Sequence, residues 1–415
     1  MYLDLNVDLS EADLALKEQT HRFVAEVTRP ASIELDKLAD PQDVIADGSI
    51  LWDVFRQYYA LGHHLAGFPE EMGGVTMSAL SSAIIGEEMG WGSADFAIGL
   101  GVAGMPYRGA LFVAQLTGNQ QIMDELVAPF TQDREAKYVG CWAITEPQHG
   151  SDTLMAVSPE YGSSLAFLDT RGKLDGTDWI INGAKSAWVS NGTIATHALV
   201  HMAVDGSDAA TSGCIAFVPL DLPGVSRGKP LNKLGQRALN QGEIYFDNVR
   251  IPGHYILMPP ELYAFASDLI LALANGGMGP TFTGVARAAF EEAVSYCKQR
   301  VQGGKPLSEH QLVQRKLFDM FIKVESARQL SRAVLVYNST QQLPLSRYSV
   351  ASKVYCTQVA FDVASDAVQL FGGMGLSKDT LVEKLFRDAR AAMIEDGAND
   401  ALALAVAPQL ISSYL

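Results

Sequence analysis

Residues 141–152 read CWAITEPQHGSD: an apolar run, Cys141 to Ile144, closes in a turn that holds Pro147 and Gly150 between polar side chains. A β-type segment ending this way turns outward its backbone N–H groups and the hydroxyls of Thr145 and Ser151. That donor set suits a polar ring edge or a phosphate, and Gly150 permits close approach. Taken alone, the pattern is as readily an ordinary Pro-Gly turn.

The periodicity changes on both sides of it. Up to about Asp133, apolar residues recur at helical spacing, as in LALKEQTHRFVAEV after the cap-like Ser10-Glu11, and Gly and Pro fall in connections such as GFPEEMGG. From Lys137 the chain breaks into short β-type runs: YVGCWAIT, SLAFLDT, DWIING, AWVSNG, HALVHMAV, CIAFVPL and EIYFDNVRIP. Such runs within one segment suit a small barrel or sandwich. From about Pro259 helical spacing returns, at Val313, Leu317, Met320, Val324 and Ala327 and again at Val363, Ala367 and Leu370, which suggests a four-helix bundle. The expected architecture is α+β and multidomain: a helical domain over 1–135, a β-barrel or sandwich over 136–253, and a helical bundle over 254–415.

Composition narrows the function. With 415 residues, 48% of them hydrophobic and 19% charged, the chain can build a large core. A net charge of −16 argues against a nucleic-acid partner, which needs clustered Lys and Arg. The start, MYLDLNVDLSEADLALKEQ, lacks a basic region followed by an apolar one, and no apolar run reads as long enough to span a bilayer, so a cytoplasmic protein without membrane insertion is expected. Cys141, Cys214, Cys297 and Cys356 are too scattered for a metal cage or a disulfide framework. No metal is expected: His63-His64 has no partner at ligand spacing, and Glu87-Glu88 reads as part of a helix face.

Six motifs, in order, resemble the acyl-CoA dehydrogenase family over nearly the whole chain. They are ITEPQHGSD, AWVSNG, KLGQRALNQGEIYFDNVRIP, YCKQRVQGGKPLSEHQLVQRKLFDM, VQLFGGMGL and EKLFRDARAAMIEDGAND. The resemblance implies FAD held between the β-domain and the bundle, with an acyl-CoA thioester against one flavin face. It assigns cofactor contacts to Ile144, Thr145, Gly150, Ser151, Trp188, Ser190 and Ala398. Thr145 would meet the pyrimidine edge, Trp188 would cover the ring, Ser190 would lie near N5, and Ser151 would lie by phosphate or substrate. Arg300, Gln311, Gln369, Leu370, Gly372 and Gly373 would serve the FAD of a neighbouring subunit, which implies a homotetramer built from dimers. Ser151, Asn275 and Gly397 would face substrate, and an electron-transferring flavoprotein would accept the electrons. These residue types fit the chemistry: fixed donors stabilise the charge that reduction adds to a flavin, and an aromatic plane excludes water. Trp188 could instead be a buried tryptophan of the barrel.

The segment RDARAAMIEDGAND, Arg387 to Asp400, carries two adjacent acids. The resemblance sets the base immediately before the glycine, which is Asp396. Successive helical residues point about 100° apart, so Glu395 would not replace it without rearrangement. A plain helix-ending turn with both acids in water is the alternative. A second base position known in the family aligns with Ala274 and is empty.

Four departures from the family pattern bear on substrate. Asp is one methylene shorter than Glu, which withdraws the carboxylate by roughly 1.5 Å. Gly303 stands where an aromatic ring often packs on the neighbour's FAD, so Gly303→Phe is expected to slow FAD loss. Asn275 stands where arginine is common, and KSAWVSNG runs one residue long. A compact alicyclic or branched acyl group, such as cyclohexanecarboxyl-CoA, is the expected substrate, with Gly99 and Gly101 admitting its width. An acyl-carrier-protein dehydrogenase and a non-dehydrogenase flavin-binding relative are the alternatives.

Overall fold

The computed structural model describes residues 5, 9–75, 77–157, 168–205 and 213–414. Its first helix, α1 (Glu11–Phe23), starts at Ser10, whose hydroxyl accepts the Asp13 N–H while the Asp13 carboxylate accepts the Ser10 N–H. This reciprocal cap satisfies donors that the first turn leaves free. Helices α2 (Arg29–Asp36), α3 (Pro41–Val44), α4 (Ile50–Ala60), α5 (Ala79–Gly92), α6 (Ala94–Ala103), α7 (Met105–Thr117), α8 (Gln120–Ile122) and α9 (Ala128–Gln132) follow.

The chain then forms one eight-stranded sheet: β1 (Gly140–Ala143), β2 (Arg171–Asp175), β3 (Asp178–Lys185), β4 (His197–Val204), β5 (Gly213–Pro219), β6 (Val225–Arg227), β7 (Ile244–Pro252) and β8 (Ile256–Met258). The strand order is β6-β7-β3-β2-β4-β5-β8, with β1 paired parallel to β4. On β4, alternate residues serve two cores: Ala198, Val200 and Met202 join the sheet's own core, while Leu199 and Ala203 pack with the N-terminal helices. The β-type runs translate unevenly. AWVSNG forms no strand: Asn191 has φ +62°, and its N–H donates to Asn240 O, so the segment turns instead of extending. Of SLAFLDT, residues 164–167 lie outside the described residues. Strands β6 and β8, three residues each, are too short to leave a periodic signal, and β8 extends the sheet beyond residue 253.

The C-terminal part is a bundle of α10 (Tyr263–Gln299), α11 (Gln311–Ser339), α12 (Ser346–Phe371) and α13 (Leu381–Ala392), flanked by α14 (Asn399–Ser412); a small hairpin, β9 (Val301–Gln302) and β10 (Lys305–Pro306), joins α10 to α11. Helix α5 lies directly on α10. A methyl group on Gly90 would come 1.8 Å from Thr281 O, and one on Gly284 would come 2.0 Å from Glu87 O. Only glycine lets these two backbones approach so closely.

Two sequence expectations change here. By length and apolarity, the segments Ala94–Thr117 and Pro260–Gln299 are long enough to cross a membrane, yet more than half of each apolar window is buried inside the fold, so they act as core helices. Glu87 and Glu88 lie on helix α5 but face inward rather than toward solvent. Glu87 accepts from Arg287 at 2.8 Å and from Arg328 at 2.8 Å; Glu88 accepts from Arg287 and His21. These contacts hold the Glu87 carboxyl well below the usual carboxylate range against the opposing effect of burial. Removing one partner from a buried ion cluster leaves an uncompensated charge. Arg328→Met should therefore lower unfolding stability in urea by about 3–5 kcal/mol; a loss below about 1 kcal/mol would show that the remaining arginines suffice.

Candidate active site

The two acids lie beyond helix α13, in the turn 393–398, so helical geometry does not separate them. The left-handed backbone does: Asp396 has φ +51° and Gly397 φ +102°. Aspartate tolerates the left-handed region better than most side chains, which gives the shorter acid a local reason to stand there. Gly397 is required twice over, because a Cβ would also meet Leu402 Cδ2 at 2.7 Å and Leu154 Cδ1 at 2.8 Å.

The turn is tied on every side. Lys353 Nζ on α12 donates to Gly397 O at 2.7 Å and to Asn399 Oδ1 at 2.8 Å. Ala398 N donates to Ser151 Oγ at 2.9 Å, joining the turn to the CWAITEPQHGSD loop. Asn275 Nδ2 lies 3.4 Å from Asp396 O, and Gln236 Nε2 donates to Glu395 Oε1 at 2.5 Å. Asn399 N closes the turn onto Met393 O. Both acids keep part of their surface open, but desolvation of the carboxyl groups dominates. It pushes Glu395 up to about 7 against the Gln236 hydrogen bond, and it raises Asp396 against the pull of Lys353.

The loop after β1 is anchored from below. Glu146 forms a buried pair with Lys185 at 2.7 Å and accepts the N–H groups of Asp169 and Thr170. Ile144 is buried with Leu154, Leu271 and Leu402, and its carbonyl accepts from Lys185. Thr145 Oγ1 is 2.8 Å from Ser186 Oγ. Gly150 N already donates to Asp152 Oδ1 at 2.6 Å, so this N–H is not free for a phosphate as its sequence context suggested. Trp188 is 60% exposed and so is no part of a barrel core. Gln241 Nε2 lies 3.2 Å from both Trp188 O and Ser190 Oγ, and Lys233 donates to Gln241 Oε1 at 2.8 Å. Burial lowers Lys233 to about 8, and the charge of Glu395 opposes that shift.

A second group gathers elsewhere. Arg300, Gln369, Leu370, Gly372 and Gly373 line a cleft of about 690 Å³ with Tyr296 and Lys316; Gln311 opens α11 but is not in its wall. No residue of the first group lines this cleft. The two groups of residues therefore lie apart on the chain.

Asn275 is fully buried; its amide nitrogen donates to the carbonyls of Leu271 and Asp396, while its Oδ1 has no hydrogen-bond partner among the described residues. Gly99 is packed, not open: its missing Cβ would touch Leu239 Cδ1 at 3.3 Å, and its carbonyl accepts from Asn191 Nδ2. Gly101 is exposed, with nothing within 4 Å of a Cβ. Gly303 has φ +65°, and His310 Cε1 would be 3.2 Å from a Cβ.

The chain matches the acyl-CoA dehydrogenase N-terminal domain over residues 10–133, the middle domain over 141–249 and the C-terminal domain over 271–411. It is 34% identical to the probable acyl-CoA dehydrogenase fadE25 of Mycobacterium leprae over 346 residues, 82% of each chain. It is 29% identical to the mitochondrial short-chain specific acyl-CoA dehydrogenase of Bos taurus over 411 residues, 99% of this chain and 92% of that one. Butyryl-CoA dehydrogenase from Megasphaera elsdenii superposes with a TM-score of 0.83 at 25% identity, covering 99% of this chain and 100% of that one. The chain belongs to the acyl-CoA dehydrogenase family and is an FAD-dependent oxidoreductase acting on CH–CH bonds. The residues present suit that cofactor: an exposed indole offers a stacking face, the Thr145 and Ser190 hydroxyls, bonded to Ser186 and Gln241, offer polar contacts, and the bundle cleft offers a cation and glycine backbone. An acyl-carrier-protein substrate is not favoured.

Gly303→Phe should therefore speed FAD loss, reversing the expectation from sequence. A bulky residue in the left-handed region costs about 1–2 kcal/mol, and His310 already fills the adjoining space. FAD release, followed by its fluorescence on dilution, checks this; slower release in the variant would restore the missing-ring argument.

Proposed function

We propose that the protein desaturates an acyl-CoA thioester between Cα and Cβ, with Asp396 as the base. The observation that carries this reading is the turn 393–398. It presents a desolvated carboxylate whose flanking backbone is held by Lys353, Ser151 and Asn275. An α-proton of a thioester is weakly acidic, so its removal needs a base of raised pKa, fixed within hydrogen-bond reach. Burial raises Asp396, which makes proton removal faster as pH rises through its pKa and the carboxylate form fills. Glu395, the neighbouring acid, is engaged by Gln236. FAD, when bound, accepts the β-hydrogen as hydride.

The proposed acyl group is short and compact, alicyclic or α-branched. A carboxylate withdrawn by roughly 1.5 Å leaves space beside Cα and Cβ that a ring or branch would fill. The names of the short-chain and butyryl-CoA relatives agree with a small acyl group. The packing of Gly99 removes one source of extra width, so the width must come from the shortened acid itself. We also propose a homotetramer built from dimers that share cofactor sites, and an electron-transferring flavoprotein as acceptor. The separation of the two residue groups supports the first, as does Leu312, 86% exposed in the wall of the bundle cleft. Four buried free cysteines accord with a reducing cytoplasm.

Anaerobic bleaching of the flavin by a panel of thioesters tests the reading. Cyclohexanecarboxyl-CoA or isobutyryl-CoA should give higher kcat/KM than butyryl-CoA, with octanoyl-CoA lowest by at least about tenfold, and Asp396→Glu should shift the ranking toward linear substrates. A parent protein that prefers octanoyl-CoA would refute the compact acyl group, and bleaching by no thioester would refute the activity.

A further inference from the structure

Lys353 is fully buried in the middle of α12, and none of the six sequence motifs contains it. A buried ammonium is costly unless its charge is offset and its N–H groups are used. Its hydrogen bonds go to two neutral acceptors, Gly397 O at 2.7 Å and Asn399 Oδ1 at 2.8 Å, which meet the second need and not the first. Asn399 is itself fixed, its amide donating to Thr357 Oγ1 at 3.1 Å. The charge must be met by anions, and those that bear on Lys353 are Asp396 first and Glu395 second. Glu395 has Lys233 on it as well, from the β-domain, whereas the ionisable group that bears on Asp396 is Lys353.

We infer that Lys353 is a positioning residue for the proposed base: through the Gly397 carbonyl and Asn399 it fixes the turn, and it sets a buried cation beside the segment that carries Asp396. This rests on the reading of Asp396 as base, but the charge relation between the two side chains is measurable without turnover. Desolvation raises Asp396 toward its neutral form, and the charge of Lys353 opposes that shift. A cation held by two fixed acceptors opposes this without closing a direct bridge over the carboxylate, which leaves the oxygens free to reach a proton. Burial lowers Lys353 to about 8, opposed by Asp396 and Glu395, so it stays charged through neutrality and loses its charge as pH rises past that value. No bond is made or broken at Lys353 itself. The signature of the arrangement is therefore a shift in the pH at which the base works, with little change in substrate affinity.

The test uses the FAD-loaded protein and Lys353→Gln, which keeps N–H donors for Gly397 O and Asn399 but carries no charge. In the substrate-free protein, the infrared carboxyl signal of Asp396, isolated by difference against Asp396→Asn, is titrated with pH. Its midpoint should rise by about one pH unit or more in Lys353→Gln; a midpoint equal to the parent's overturns the inference, whatever the substrate proves to be. With an active thioester, anaerobic flavin reduction at neutral pH should fall at least about tenfold, recover as pH is raised, and leave KM nearly unchanged. A loss that is the same at every pH would assign Lys353 a structural role only. Should Lys353→Gln fail to retain FAD, Asn399→Asp gives a second reading: a carboxylate there competes for the ammonium, and it should raise the Asp396 midpoint in the same direction, whereas an unmoved midpoint again overturns the inference. Failure of every thioester to bleach the parent protein would count against the proposed activity and leave the infrared result standing by itself.

Discussion

A carboxylate that is to take a weakly acidic proton must be kept from water and must still be charged, and burial opposes the second requirement. In the proposed reading both demands fall on one turn of six residues, 393–398, and much of the surrounding architecture holds that turn. The β-domain reaches it through Ser151 and Gln236, and the bundle through Asn275 and Lys353. Such a turn cannot be specified by local sequence alone. Its left-handed residues need neighbours that leave it no alternative.

Those neighbours are themselves fixed by buried charge. Gln236, at φ +49°, is pinned by its N–H to Asp388 Oδ1, and Lys384 joins Asp388 to Asp95 of the N-terminal helices. Asp95 in turn accepts Ala238 N and the hydroxyl of Ser32. One polar chain thus runs from the N-terminal helices through the β-domain to Glu395. A separate cluster around Glu87 joins α5 to α10 and α11, where the glycine-lined crossing brings the backbones together. Apolar packing builds the cores, while these two networks fix how the layers meet.

The layer order was legible because it depends on sequence pattern, and long helices, the near-continuous apolar runs of β4 and β5 and the alternating β7 leave strong ones. The acids at 395 and 396 were legible through the motif that contains them. Their geometry was not, since a helix was assumed to continue where the backbone turns left-handed at Asp396. The contact of Asn275 with Asp396 O was not legible, because nothing local in sequence reports a hydrogen bond 121 residues away. Lys353, Gln241 and Gln236 were missed for the same reason: each acts through contacts distant in sequence. Glu87 and Glu88 looked like a solvated face because their partners, Arg287 and Arg328, come from two other helices. Gly90 offered a weak signal, a glycine inside a helical pattern, which marks a close backbone approach.

The central claim is that the turn presents Asp396, and not Glu395, to the substrate. The most direct measurement is stopped-flow anaerobic flavin reduction by one active thioester, comparing Asp396→Asn with Glu395→Gln, each confirmed to hold FAD. The account predicts that Asp396→Asn loses reduction by several powers of ten, while Glu395→Gln keeps it within about tenfold and shifts its pH dependence. Near-normal reduction in Asp396→Asn, with the large loss in Glu395→Gln, would contradict it.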